Sequence, residues 1–537
     1  LAVPFKERCF DLVRRQDEGS REPAGFVGMI TANSFMKREF GKKLIEAYFP
    51  RWDLTHVVDT SGAYVPGHGT PTVILFARGR RPRDFEPTVR AVRGIRGEPS
   101  TPDDPARGQV WTAILQQVDR PGSESEFVSV DNTQRATFHK HPWSLGGGGA
   151  AELKERLEAN CKRRLGDLAS EIGITSVTGE DDLYVFPDPA SCRRLDIEVT
   201  RPLVTGDRIR DWTMAACDQA IWLYDEQFRL LPLNRSPKAA RLLWKCKASI
   251  SKRKRFGTPM LEKGLTWYEW QELYADKLRT PLSIAFAFVA THNHFVLDRG
   301  GKVFNRTAPV IKLRSDATED DHLALLGVLN SSSACFWIQQ QCHNKGGPGG
   351  ASSKDEKWHD FYEHDGTKLK SLPLPQDRTS QISAAIDSTA QRLNALEREP
   401  QFMLSDSNPP ERTRLQHQLI ALQEELDWQS YGQYGLVEDP PLWSSNEPVP
   451  PVRLGERAFE IALARAVAAG EVHTKWFQRH ESTPVTEIPE HWPKAYRDLI
   501  QHRLHVILSD RDVRLIEQPA YKRRWQFEPW DQIRERT

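Results

Sequence analysis

Gly25-Phe-Val-Gly-Met-Ile-Thr31, Asp53-Leu-Thr-His-Val-Val-Asp59 and Thr70-Pro-Thr-Val-Ile-Leu-Phe-Ala77 are three short apolar runs within one stretch of the chain. Their reading decides the fold class. Runs of this length, rich in β-branched residues and set off by turns, read as buried strands. Between the first two, Asn33 or Ser34 is placed to cap a helix through Glu46. Between the last two lies a glycine-rich loop, Thr60 to Gly69. Ahead of all three, Phe5 to Arg15 is a helical stretch with apolar Phe5, Phe10, Leu12 and Val13. This succession predicts the second half of an open, mostly parallel sheet.

Outward from there the texture changes. Arg78 to Pro105 is rich in Arg, Pro and Gly and reads as a boundary. Residues 106 to about 190 are mixed, with a four-glycine run, Gly146 to Gly149, leading into a helical stretch that ends near Leu168. Short β segments and aromatic clusters follow, among them Ala220-Ile-Trp-Leu-Tyr224, Ile284-Ala-Phe-Ala-Phe-Val289 and Val310-Ile-Lys-Leu313, closing at Leu372-Pro-Leu-Pro375. Gln381 to Asp427 is polar and leucine-spaced, with a break near Pro400 to Pro410, and predicts two helices of a spacer. Pro440 to Pro451 reads as a linker, and 452–537 as helical with several Trp. The expected fold class is α/β plus α+β. Half of a Rossmann-like sheet domain would occupy 1–85, an insertion or linker region 86–190 and a mixed domain 191–376. A helical spacer at 377–440 and a helical domain at 441–537 would complete it.

Composition narrows the function classes. With 537 residues, 39% hydrophobic, the chain has material for several cores, so wholesale disorder is excluded. It carries 74 basic and 73 acidic residues, a net of +1, which excludes a basic coat over the whole surface. Charge is nevertheless segregated. Gln227 to Leu261 holds no acidic residue but holds Arg229, Arg235, Lys238, Arg241, Lys245, Lys247, Lys252, Arg253, Lys254 and Arg255, with Trp244 and Phe256 among them. That stretch reads either as phosphate contact or as a solvated basic face. The seven cysteines are odd in number and never spaced C-x-x-C, which argues for a reducing cytoplasm. The longest apolar run, about Pro281 to Ala290, is too short to span a bilayer. Residue 1 is Leu and the first methionine is Met29, so a piece of a longer polypeptide is expected.

Several motifs are tempting. Asn408-Pro409-Pro410 spells part of the amide-Pro-Pro-aromatic motif of amino-methyltransferases, but Glu411 replaces the aromatic, and the string reads as a turn before a helix. His292-Asn293-His294 spells HNH, a nuclease signature that needs further metal ligands; alternating His more often marks one face of a strand. Cys335, Cys342, His343 and His359 match no zinc-finger spacing, and no metal site is expected. Gly346-Gly-Pro-Gly-Gly350 lacks the Gly-Lys-Ser/Thr of a phosphate loop and reads as a mobile loop.

Taken in order, Gly25 to Phe35, Gly41-Lys-Lys-Leu44, His56-Val-Val-Asp59 and Thr70 to Phe76 resemble the second half of large adenine-specific DNA methyltransferases, above all those of bacteriophage-exclusion (BREX) systems. The likeness continues at Arg201 to Asp207 with Asp211-Trp212, and at Leu325 to Asn330. It resumes at Glu425-Leu-Asp427, Tyr434-Gly-Leu436 and Trp476-Phe477, and ends at Thr486 to Pro489, Ile516 to Pro519 and Tyr521 to Trp525. The resemblance implies a target-recognition domain over 191–376. It implies transfer of a methyl group from S-adenosylmethionine to the adenine amino group, in phage defence. Family members carry a glycine-rich cofactor loop and the amide-Pro-Pro-Tyr motif ahead of the strand at Gly25. Neither stands here, so no catalytic residue is expected in this chain, and the main cofactor motif is expected before residue 1.

The same resemblance marks Tyr64, in the glycine-rich loop, as the candidate for the flipped-base pocket, against a plain loop tyrosine packed on the sheet. It puts Phe5 and Phe10 where a helix borders the cofactor adenine, against simple core packing. Lys245, Lys247, Lys252, Arg253, Lys254 and Arg255 are the DNA-phosphate candidates. Expected partners are double-stranded DNA, the missing catalytic half and other defence-system proteins. The alternative is a stand-alone DNA-specificity or adaptor subunit without catalysis.

Overall fold

A computed structural model describes residues 2–16, 22–187, 189–197, 199–214, 217–346, 356–399, 408–445, 447–525 and 527–536. Residues 347–350 of the glycine-rich loop, and 400–407 of the expected break, lie outside the described residues. The chain forms two compact units. The first comprises Leu1–Ala159, Phe336–Glu363 and Leu508–Lys522; the second comprises Asn160–Cys335, His364–Ile507 and Arg523–Thr537.

In the first unit the three apolar runs are strands: β1 Phe26–Ala32, β2 Asp53–Asp59 and β3 Thr72–Arg78. They join β4 Thr88–Gly94, β5 Ser123–Glu124 and β6 Val128–Gln134 in the order β1-β3-β2-β4-β6-β5. Only β2 and β4 are parallel neighbours; the other neighbouring pairs are antiparallel. The expectation of a mostly parallel sheet is thereby corrected. A parallel return needs a long crossover, usually a helix, and the loop from Thr60 to Pro71 contains none. β3 therefore turns back and inserts between β1 and β2. The sheet also runs on past residue 85, where a boundary was expected.

The helix expected from Asn33 to Glu46 is instead a broken chain of short turns: tight 3₁₀ turns at Asn33–Met36, Glu39–Gly41 and Phe49–Arg51, and a wider π turn at Leu44–Tyr48. Packing explains the break. The backbone doubles back so closely that a Cβ at Gly41 would sit 1.9 Å from the Phe35 carbonyl oxygen. Helix α1, Ala2–Asp11, closes one face of the sheet. Its Phe10 is fully buried with Phe35, Phe49, Trp52, Val57 and Leu75. On the other face α2, Gln109–Gln117, lays Val110, Ala113 and Ile114 over Val58, Val92, Val128 and Val130.

That second face is covered at one end only. β1 is the outer strand, and among the described residues no strand pairs with its other edge. Phe26 is 75% exposed, Ile30 52% and, on β3, Phe76 42%. Gly28 stands opposite Phe76 in the register, so these side chains share one face. Solvated apolar side chains beside an open edge are the surface that a further layer normally covers.

The second unit mixes short sheets with helices. One sheet orders Val185–Phe186, Asp218–Ile221, Thr200–Val204 and Val303–Phe304; another orders Phe295–Asp298, Ser283–Phe286, Val310–Leu313 and Ala169–Gly173. Two helices, Gln381–Leu396 and Pro410–Gln433, follow as the leucine spacing predicts. Pro409 and Pro410 stand at the start of the latter, and the Asn408 carboxamide accepts from Arg412 at 3.3 Å. This is a helix-entry turn, as read from the sequence. Helices Ala458–Ala468 and Lys494–Ser509 belong to the C-terminal region. Buried charges tie it together. Arg503 donates to Glu425 at 2.7 Å, and Arg457 to Glu460 at 2.8 Å. The Arg523 guanidinium reaches Asp211 at 3.2 Å, the Asn293 carbonyl at 3.0 Å, Asn330 at 2.9 Å and Gln423 at 3.2 Å. Removing one partner of such a buried pair costs far more than the pair is worth.

Candidate functional site

β1 and β2 both run antiparallel to β3, so they are parallel to each other and end on the same side of the sheet. Carboxyl ends of parallel strands are where open α/β sheets place ligands. A cavity of about 160 Å³ lies there within the first unit, lined among others by Asn33, Asp59, Ser61, Asn344, Lys357 and Asp360. A void of this order takes roughly one aromatic ring. Asn33 follows β1 directly, and Asp59 ends β2.

The lining is polar and electrostatically strained. Asp59 accepts from the Ser61 amide at 2.9 Å and the Ser61 hydroxyl at 2.6 Å. Even so, burial holds its pKa above the ordinary carboxylate value. Asp360 accepts from the Asn344 carboxamide at 2.8 Å through one oxygen, while the other is buried with no hydrogen-bond partner. Desolvation pushes this carboxyl up to about 6, against the pull of Asn344 and Lys357. Lys357 is exposed over much of its surface; at the cavity its ammonium is lowered by desolvation, with Asp59 and Asp360 acting in the other direction. Asp360 therefore exchanges its proton near neutrality, and its open oxygen can accept a hydrogen bond or, protonated, donate one.

The predicted residues fare unequally. Tyr64 lies on the loop that supplies Ser61 and Gly62, but not among the cavity-lining residues. It is half-buried, and its carbonyl accepts from the Trp111 indole at 3.0 Å. Phe10 corrects the cofactor-border reading. It is 0% exposed, with its ring 5.6 Å from Phe49 and 5.4 Å from Trp52, so core packing accounts for it. Phe5, on the same helix, is 66% exposed and outside that core.

Of the cationic candidates, Lys245, Lys252 and Lys254 are exposed, and Lys247 and Arg255 half-buried. The Lys247 ammonium sits 4.1 Å from the Trp244 ring centroid. Arg253 is the correction. Its guanidinium is buried and donates to the carbonyls of Ile250 at 3.0 Å, Trp267 at 2.9 Å, Glu269 at 2.8 Å and Thr178, and to the Tyr184 hydroxyl at 3.3 Å. A guanidinium buried and bonded on all three of its nitrogens holds the fold and is turned away from any phosphate outside.

His292 is buried and His294 partly so. Desolvation first, then Arg523, holds both well below the ordinary histidine value. Arginines crowd them, and among the described residues no group of three or more His, Cys, Asp or Glu is placed to hold a metal ion. The nuclease reading has no geometric support. Asn344, Lys357 and Asp360 were not singled out from sequence. They lie almost 300 residues from Asp59, and nothing in their local pattern signals the meeting.

Residues 419–537 match a family model described as a domain of unknown function, DUF7008. The adenine-specific methyltransferase PglX of Streptomyces coelicolor is 45% identical over 559 aligned residues, which take in 100% of this chain and 46% of that protein. The chain thus spans about half the length of the curated relative it matches. Two solved structures align loosely. The type IIL restriction-modification enzyme MmeI, in complex with DNA, is 12% identical with a TM-score of 0.42, covering 79% of this chain and 48% of its own. The type IIG restriction endonuclease BpuSI is 10% identical with a TM-score of 0.33, covering 77% and 46%. No helix among the described residues is long and apolar enough to cross a membrane. From one end to the other, this chain is a relative of the adenine-specific methyltransferase PglX.

Proposed function

We propose that the chain supplies the late catalytic strands and the DNA target recognition of a site-specific adenine methyltransferase. The parent moves a methyl group from S-adenosylmethionine to the adenine amino group, in phage defence of the BREX type. The observation that carries this reading is the 45% identity to PglX over the whole chain. Two physical features support it. The open β1 edge, with Phe26, Ile30 and Phe76 solvated beside it, fits a sheet that continues into another part of the parent. The exposed cations of Lys245, Lys252 and Lys254 fit a phosphate backbone.

The residues present do not make a cofactor site by themselves. Phe10 is locked in the core and Phe5 lies outside it, and the sequence holds no G-x-G-x-x-G loop. No catalytic step is therefore assigned to this chain. The cleft around Asp59, Ser61 and Asp360 is the surface it would bring to a base turned out of the duplex. The same open edge also fits a separately encoded catalytic half, in which case the chain is an adaptor subunit.

Charge reversal tests the recognition role. Lys252→Glu, Lys254→Glu and Arg255→Glu together weaken duplex binding across sequences and reduce the slope of log K against log salt by about 2 to 3. An unchanged slope removes these residues from the interface.

A further inference from the structure

The strand pair Lys254–Arg255 and Thr258–Pro259 is a hairpin with two residues at its tip, Phe256 and Gly257. Both have positive φ, 50° and 81°, the backbone that a tight two-residue turn demands. Asparagine, aspartate or glycine suits the first tip position. A phenylalanine there presses its Cβ against its own carbonyl. The ring contributes nothing to a core in return, being 71% exposed. Two cations flank it: the Arg255 guanidinium at 5.7 Å and the Lys263 ammonium at 5.3 Å from its centroid. Lys252 and Lys254 are exposed beside it. An aromatic side chain held out on a strained turn, ringed by cations, has the form of a device for contact with a polyanion that also has apolar faces. Duplex DNA answers to that description.

We propose that Phe256 is an apolar wedge that this unit inserts into a groove of duplex DNA, while Lys252, Lys254, Arg255 and Lys263 hold the phosphates on either side. The inference rests on the reading of the second unit as DNA-binding, and deepens it. Cations supply attraction without regard to sequence. An apolar side chain between base steps unstacks them and bends the duplex, which lets the contact sense how easily a given step deforms.

The test uses the 537-residue chain and a labelled mixed-sequence duplex of about 30 base pairs, carrying 2-aminopurine at spaced positions. The wild-type chain is expected to bind and to raise the 2-aminopurine fluorescence as bases unstack. Phe256→Asn is expected to bind about tenfold more weakly, to leave the fluorescence unchanged and to keep the wild-type salt slope. It is also expected to melt no earlier, because asparagine accepts the left-handed turn. Wild-type affinity and fluorescence in Phe256→Asn overturn the wedge and leave the DNA-binding reading standing. Failure of the wild-type chain to bind the duplex overturns that reading, and the wedge with it.

Discussion

Arg253 and Lys254 are neighbours in a run of four cations, and the sequence does not distinguish them. The fold does. Arg253 satisfies four carbonyls and a tyrosine hydroxyl in the interior, while Lys254 is exposed. Arg253→Met is expected to cost roughly 3–5 kcal/mol in urea unfolding, since it leaves those buried acceptors unmet. Lys254→Ala is expected to cost less than about 0.5 kcal/mol, and to act on DNA binding instead. Comparable losses for the two would contradict the assignment. Buried ionisable groups set the pH response. His364, with Nδ1 3.0 Å from the Ala287 carbonyl, is held by desolvation at about 4. Its folded pKa lies below the unfolded value, so its contribution is whole above about 6.5 and lost as pH falls towards 4; the size is roughly 3 kcal/mol. Asp360 works in the opposite sense. With a folded pKa of about 6, it favours the folded state below about 4, and that contribution is lost as pH rises through 6. Asp360→Asn is therefore expected to raise stability at pH 7 to 8 and leave it nearly unchanged near pH 4. A variant destabilised at pH 8 would refute the raised pKa.

At the scale of elements, the β1 edge makes the sharpest statement. Its outward residues are apolar where an edge facing water is usually blunted by charge. Phe26→Lys with Ile30→Lys is expected to make the isolated chain less prone to self-association, as judged by light scattering, and to abolish productive assembly with a catalytic half. Unaltered assembly would remove this face from the proposed junction. The strands were legible because a short β-branched run between turns has few other readings. Their pairing was not legible, because the direction of β3 depends on what the Thr60 to Pro71 loop lacks. The turns at 33–51 escaped the sequence reading for a local reason. Asn33 and Ser34 look like helix caps, yet Gly41 packs against the Phe35 backbone and ends any regular helix before it forms. Gly41→Ala is expected to lower the melting temperature clearly, since a methyl group cannot occupy that space. A neutral effect would contradict the close approach.

Over the whole molecule, relatedness was legible where no single motif was. The ordered strings from Gly25 to Trp525 pointed to adenine-specific methyltransferases, and the identity to PglX runs the full length of the chain. The cleft was not legible. Asp59 stood in view at the end of a strand, but Asn344, Lys357 and Asp360 reach the same cavity only through the fold. Phe256 likewise read as an aromatic among cations; only its left-handed backbone and its exposure single it out. In the function proposed, the chain recognises DNA and completes a methyltransferase that it does not itself constitute. The direct measurement is transfer of a labelled methyl group from S-adenosylmethionine to duplex DNA, by the chain alone and by the chain mixed with the part of PglX that it does not match. No transfer by the chain alone and adenine methylation by the mixture are expected. Robust transfer by the chain alone would contradict the proposed function.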